Sequence, residues 1–191
     1  MDEATANKNR LQRKLLWAVL GINFSFFVIE STTGFFSKSM GLVADSLDML
    51  ADAIVYGLSL WAVGAVASRK KRVSVFSGYF QLILAALGFF EICRRLLGAE
   101  EAPDYRFMIF VSCFSLIANS ICLYLLKKAR SEEAHMKASM IFTSNDVIIN
   151  MGVILAGVLV LITHSKYPDL IIGAAVFLIV VKGAIKILKL S

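Results

Sequence analysis

Of the 14 acidic residues in this 191-residue chain, Glu30, Asp45, Asp48, Asp52, Glu91 and Asp146 fall within, or at the ends of, long apolar stretches. A charged side chain deep in a bilayer costs about 3 kcal/mol on insertion scales, so each of these acids needs a reason. Asp45, Asp48 and Asp52 run i, i+3, i+7 and share one helical face, which Tyr56 and Ser59 continue. Asp48 and Asp52, four apart, can place two carboxylates on one ion. Ser139, Thr143, Asp146 and Asn150 form a matching stripe on a second helix. Four oxygen-bearing side chains, Asp48, Asp52, Asp146 and Asn150, therefore make a candidate cation site between two helices. Lysine and arginine are nearly absent at that depth, so an internal ion pair does not account for these acids. The competing reading is that they are protonated and hydrogen-bond neighbouring helices. Asp45 and Glu30 lie nearer the span ends and suit either a vestibule or helix packing, with Asn23 seven residues before Glu30. Glu91, beside Arg94 and Arg95, reads as an interfacial ion pair. A further polar stripe, Ser112, Ser115, Asn119 and Cys122, steps by three and four.

The elements that must carry these stripes follow from composition. The chain is 58% hydrophobic and 18% charged, with a mean hydropathy of +0.74. Soluble domains run at roughly 45–50% apolar and about 25% charged, so the solvent implied is a membrane. A spanning helix needs about 20 apolar residues. Six stretches qualify: 15–36, 40–66, 75–97, 106–126, 139–163 and 168–188. The expected fold is an all-α membrane protein with six transmembrane helices. Residues 1–14 form an N-terminal cytoplasmic segment and 15–191 the membrane domain. With the N-terminus inside, fifteen lysines and arginines lie on the cytoplasmic side. The outside loops hold five: Lys38, Arg94, Arg95, Arg106 and Lys166. That asymmetry places both termini in the cytoplasm. It also assigns the net charge of +6 and the pI near 9.3 to lipid headgroups rather than nucleic acid. The sixth stretch has few polar residues and is expected at the periphery. Acids in the loops, including Asp169, carry little information. His135 and His164 read as solvated loop residues, although the Ser131–His135 segment is acidic enough to attract cations. Cys93, Cys113 and Cys122 contain no CxxC pair and read as small apolar packing residues. No nucleophile–histidine pair, phosphate loop or dinucleotide fingerprint appears, which excludes a soluble enzyme.

The stretch from Asn23 to Asp52 reads N-x6-E-x3-G-x4-S-x5-D-x2-D-x3-D. It resembles the first two helices of the cation diffusion facilitators, a family of exporters of zinc and other divalent metals. Asn119 and the SNDVIINxGV segment at 144–153 also fit, and the resemblance covers all six spans. It implies that Asp48 and Asp52 bind the transported metal together with two residues of the fifth helix. The family pattern there is His-x-x-x-Asp. Its aspartate corresponds to Asp146, but Phe142 stands where the histidine would be, and phenylalanine cannot ligate. The fourth ligand is then Asn150, with Thr143 and Asn145 as alternatives. An all-oxygen set moves preference from zinc toward harder ions such as manganese or iron(II), with zinc retained as a candidate. The chain ends at Ser191, so the reading is a short member without the family's cytoplasmic C-terminal domain. Homodimerisation is then expected through membrane helices.

The expected activity is efflux of a divalent cation in exchange for protons, across a bacterial cytoplasmic membrane, with no permanently bound cofactor. Clustered carboxylates repel one another, and either a divalent cation or protons relieve that repulsion. One site can thus hold metal or protons in alternation, with access switched by rocking of helix groups. Two other readings fit the same residues. One is a proton-coupled exporter of organic cations, which needs an aromatic-lined cavity. The other is a non-transporting membrane scaffold whose acids only pair helices.

Overall fold

The computed structural model describes residues 3–63, 67–98, 101–128 and 134–190. It is all-α, with six helices: α1 (Glu3–Phe36), α2 (Met40–Ala62), α3 (Ala67–Leu97), α4 (Tyr105–Lys128), α5 (Ala134–Thr163) and α6 (Tyr167–Leu190). Two expectations about boundaries change. The segment before residue 15 is helical from Glu3 and continuous with α1, and the basic run Arg69–Arg72 lies inside α3. Neither contains a helix breaker, and charged residues at a helix end extend the element beyond its apolar part. His135, expected in a loop, lies in the first turn of α5.

Five helices, α1, α3, α4, α5 and α6, contain stretches long and apolar enough to cross a membrane. The exception is α2. Its 23 residues reach about 35 Å at 1.5 Å per residue, enough for a hydrocarbon core of about 30 Å. Its three aspartates are what lower its apolarity. The fold answers this by placing α2 at the centre, in contact with α1, α3, α5 and α6. Asp45, Asp48 and Asp52 are consequently buried.

Two apolar clusters bracket the polar layer. One gathers Met40, Leu42, Met108, Val153, Leu170 and Phe177 toward the end where α2 begins. The other gathers Leu16, Val19, Val63, Cys122, Leu126 and Met136 toward the opposite end. The α1–α2 corner is tight. Lys38 adopts a left-handed backbone with φ of 58°, and Ser39 caps α2 by accepting the N–H of Leu42 at 3.2 Å. Gly34 lets α1 approach α2, since a Cβ there would meet Val43 N at 3.0 Å.

The expectation that the sixth helix is peripheral is corrected. α6 packs on α3, α5 and α2, and its Leu170, Val176, Phe177 and Val180 belong to the larger core. Its lack of polar residues reflects burial among apolar neighbours on one side and exposure of Ile171 and Leu178 on the other. At Gly88 of α3 any Cβ would overlap the Phe177 ring, so this glycine sets how closely α3 and α6 pack.

Candidate metal centre

Asp48, Asp52 and Asp146 come together between α2 and α5. Their residue exposures are 3%, 0% and 0%. The helices run antiparallel, with Gly41 beside Val153 and Tyr56 beside Thr143. That register sets Asp52 level with Asp146 and Asp48 level with Asn150. The Asp48 and Asp52 carboxyls both neighbour Asp146. Carboxylates only accept hydrogen bonds, so bringing these oxygens together needs a shared proton or a cation between them. Asp48 Oδ2, Asp52 Oδ1 and both Asp146 oxygens are buried without a donor.

Neutral side chains hold the remaining oxygens. The Tyr56 hydroxyl donates to Asp52 Oδ2 at 2.9 Å and stands 2.6 Å from Thr143 Oγ1. Gln81 of α3 donates from Nε2 to Asp48 Oδ1 at 2.8 Å. Asn150 donates from Nδ2 to its own helix at Asp146 O, 2.8 Å, and its Oδ1 is buried and unpartnered. Of the two alternatives for a fourth ligand, Thr143 is engaged by Tyr56 and by Ser139 O. Asn145 lies against Gly183 of α6 and lines a different cavity, of about 450 Å³, with Lys127, Lys137 and Lys186. Phe142 is fully buried and packs on Val55, one turn beyond Asp52. Among the described residues, no three His, Cys, Asp or Glu side chains already stand at the separations that enclose one metal ion. The inner carboxylates are neighbours that must draw closer to grip a cation.

A second polar group lies beyond the first. Glu30 of α1 and Asp45 of α2 are fully buried neighbours, with Ser115 of α4 beside Glu30. All four carboxyl oxygens are without a hydrogen-bond partner, as are the hydroxyls of Ser112 and Ser115 and the amide of Asn119. Asn23 donates to Val19 O at 2.9 Å, leaving Oδ1 unpartnered. Buried polar atoms are almost always hydrogen-bonded, so this many orphans in one layer marks a place for water, protons or cations.

Residues 16–191 match the cation efflux transmembrane domain. The chain belongs to the cation efflux family. It is a multi-pass membrane protein. Relatives of this family member include the zinc transporter ZitB of Pectobacterium atrosepticum, 28% identical over 93% of this chain and 59% of that protein. The metal cation efflux system protein CzcD of Cupriavidus metallidurans is 23% identical over 90% and 58% respectively. The vacuolar zinc transporter ZRC1 of Saccharomyces cerevisiae is 30% identical over 62% and 30%. The chain thus spans less than two thirds of the length of these relatives.

Sequence reasoning missed two buried groups in this chain. Gln81 sits on an α3 face with Ser77, one turn earlier, and both are buried. That i, i+4 polar pair inside an apolar span was the available signal. Asp169, placed among the uninformative loop acids, is 2% exposed in the first turn of α6. Its carboxylate accepts from Ser39 Oγ at 2.8 Å, Gly41 N at 2.9 Å and Met40 N. It thereby satisfies the otherwise orphaned amides at the start of α2, where the helix dipole favours an anion. The ion pair expected at Glu91 forms with Arg94 at 2.8 Å and with Arg95 at 2.9 Å.

Proposed function

We propose that this protein moves a divalent metal cation across its membrane in exchange for protons. The observation that carries the reading is the inner group: three neighbouring buried carboxylates from two helices, with four oxygens lacking any donor. A divalent cation or protons supply what those oxygens need, so occupancy by one displaces the other. α2 is read as the sixth span, since lipid-facing neighbours shield its aspartates. Both termini are read as cytoplasmic from the lysine and arginine asymmetry. In the fold those residues collect at one end: Arg13 reaches Val63 O, and Lys127, Lys137 and Lys186 share one cavity.

The substrate is a zinc-class or manganese-class ion. The oxygen-only donor set favours manganese or iron(II), while two of the three relatives named above are called zinc transporters. The bacterial cytoplasmic membrane is the proposed location, and pairing of two copies through membrane helices the proposed assembly. The organic-cation reading is less well supported, because many phenylalanines, including Phe35, Phe90 and Phe110, face outward rather than around a cavity.

The test is transport in liposomes containing an internal metal-sensitive dye, with an imposed pH gradient. Wild type is expected to carry manganese or zinc at a rate that follows the gradient. Asp48→Ala and Asp146→Ala are expected to lose transport. Wild-type rates in both variants would remove the site assignment, and gradient-independent transport would remove the exchange.

A further inference from the structure

The metal site as read from α2 and α5 has three carboxylates and one neutral oxygen, Asn150 Oδ1, which is buried without a partner. Gln81, on a third helix, touches this site directly. It is fully buried, and its Nε2 holds Asp48 Oδ1 at 2.8 Å. Its Oε1 is buried without a donor, and so is the other oxygen of the same aspartate, Oδ2. The bonded amide and carboxylate thus each keep one buried oxygen acceptor without a donor. Such acceptors need an electropositive partner, which a cation at the site would supply to both. Tyr56, the other neutral group bonded to a site carboxylate, has its hydroxyl taken up between Asp52 and Thr143.

We propose that Gln81 is a specificity-determining residue of the transport site: its Nε2 orients Asp48 and its Oε1 provides a neutral oxygen donor in addition to Asn150. The proposal rests on the reading of Asp48, Asp52 and Asp146 as metal ligands. It makes the site a three-helix one, joining α3 to α2 and α5. A carboxamide oxygen is a hard donor, which favours manganese or iron(II) over zinc and offsets the missing imidazole at Phe142. It also leaves the charge balance of the three carboxylates untouched, which a fourth acid in that place would not.

Calorimetric titration of the metal-stripped protein in detergent micelles, with Mn²⁺ and Zn²⁺ in turn, tests this. Gln81→Leu is expected to weaken manganese binding about tenfold or more, and zinc binding by less, so the affinity ratio moves toward zinc. Gln81→Glu loses the donor to Asp48 but keeps a hard oxygen in place, so its manganese-to-zinc affinity ratio is expected to stay at or above that of wild type. An unmoved affinity ratio in Gln81→Leu, even with a lowered melting temperature, would mean that the residue only supports the fold, and overturns the proposal. If Gln81→Leu does not fold, Gln81→Glu decides: a manganese-to-zinc affinity ratio below that of wild type overturns it. Asp48→Ala separates the two layers. Lost binding there with an unaffected Gln81→Leu removes Gln81 alone. Undiminished binding in Asp48→Ala removes the site and Gln81 with it.

Discussion

Asp146→Asn separates a transport site from a helix-pairing role, because the two assign opposite signs to its effect on stability. The asparagine has the same shape but carries two N–H donors where the aspartate has none. Both Asp146 oxygens lack a donor, and Asp48 Oδ2 and Asp52 Oδ1 beside it lack one too. A hydrogen bond to a charged acceptor contributes about 1.5–3 kcal/mol net. One planar amide cannot align well with both neighbours, so one good bond is counted, and removal of one negative charge acts in the same direction. The metal-free variant is therefore expected to be more stable than wild type by about 2 kcal/mol. Wild type gains about 4.1 kcal/mol when manganese stands at 1,000 times its dissociation constant, and the variant loses most of that gain. The order of stability thus inverts: variant above wild type in chelator, wild type above variant in metal. Unfolding in detergent micelles at neutral pH, followed with and without manganese, reads both arms. A variant less stable than wild type by more than about 1 kcal/mol in chelator, with manganese stabilising neither protein, refutes the reasoning. That result is what acids serving only to pair helices would give.

Asp169→Ala leaves Met40 N, Gly41 N and the Ser39 hydroxyl without their acceptor. It is expected to destabilise the protein by about 3–5 kcal/mol in the same unfolding assay, with Asp169→Asn recovering part of the loss. At Gly88, substitution by leucine drives a side chain into the Phe177 ring. A cost of about 1–3 kcal/mol is expected in unfolding, relieved when Phe177→Ala is added. Additive effects of the two changes would show that the α3–α6 approach does not depend on this pair. Phe142→His sets an imidazole one turn before Asp146. It is expected to lower metal-free stability by about 2–3 kcal/mol, since a buried polar ring replaces one packed on Val55. It is also expected to shift competition between zinc and manganese about tenfold toward zinc in liposome transport. An unchanged metal ratio would show that position 142 does not reach the ion.

The polar stripes were legible because helical periodicity and membrane cost act on the same residues. Ser139, Thr143, Asp146 and Asn150 are all fully buried, as are Ser112, Ser115, Asn119 and Cys122. What periodicity does not encode is which stripe meets which. Asp48 and Asp146 meet through the antiparallel packing of α2 on α5, and nothing local in either segment specifies it. Gln81 escaped for a related reason: a single amide in an apolar span has no periodic partner beyond Ser77, and only tertiary packing turns it toward Asp48. Asp169 was read as a loop acid because Pro168 and the polar residues before it mark a helix start. Its function depends on Ser39, 130 residues away in sequence. The α6 position was misjudged because sparse polarity fits both lipid exposure and a dry core, and α6 has one of each on opposite sides.

The placement of α2 ties these points together. It is the one helix whose composition falls short of a membrane span, and it is the one the others surround. A helix carrying three carboxylates in lipid would be expelled or would need paired cations. Held centrally, it needs neither, but its carboxylates then lack water as well as counter-charge. Asp169 fixes the start of α2, and the outer polar pair Glu30–Asp45 shares the layer with the inner group. The instability of the unliganded layer is therefore a consequence of the architecture. An exchange of metal for protons needs a site that neither bare carboxylates nor a resident salt bridge can satisfy. A lysine introduced at depth to pair with Asp48 or Asp146 would stabilise the fold and abolish the exchange. The near absence of such a lysine in the sequence is thus the expected companion of the buried acids.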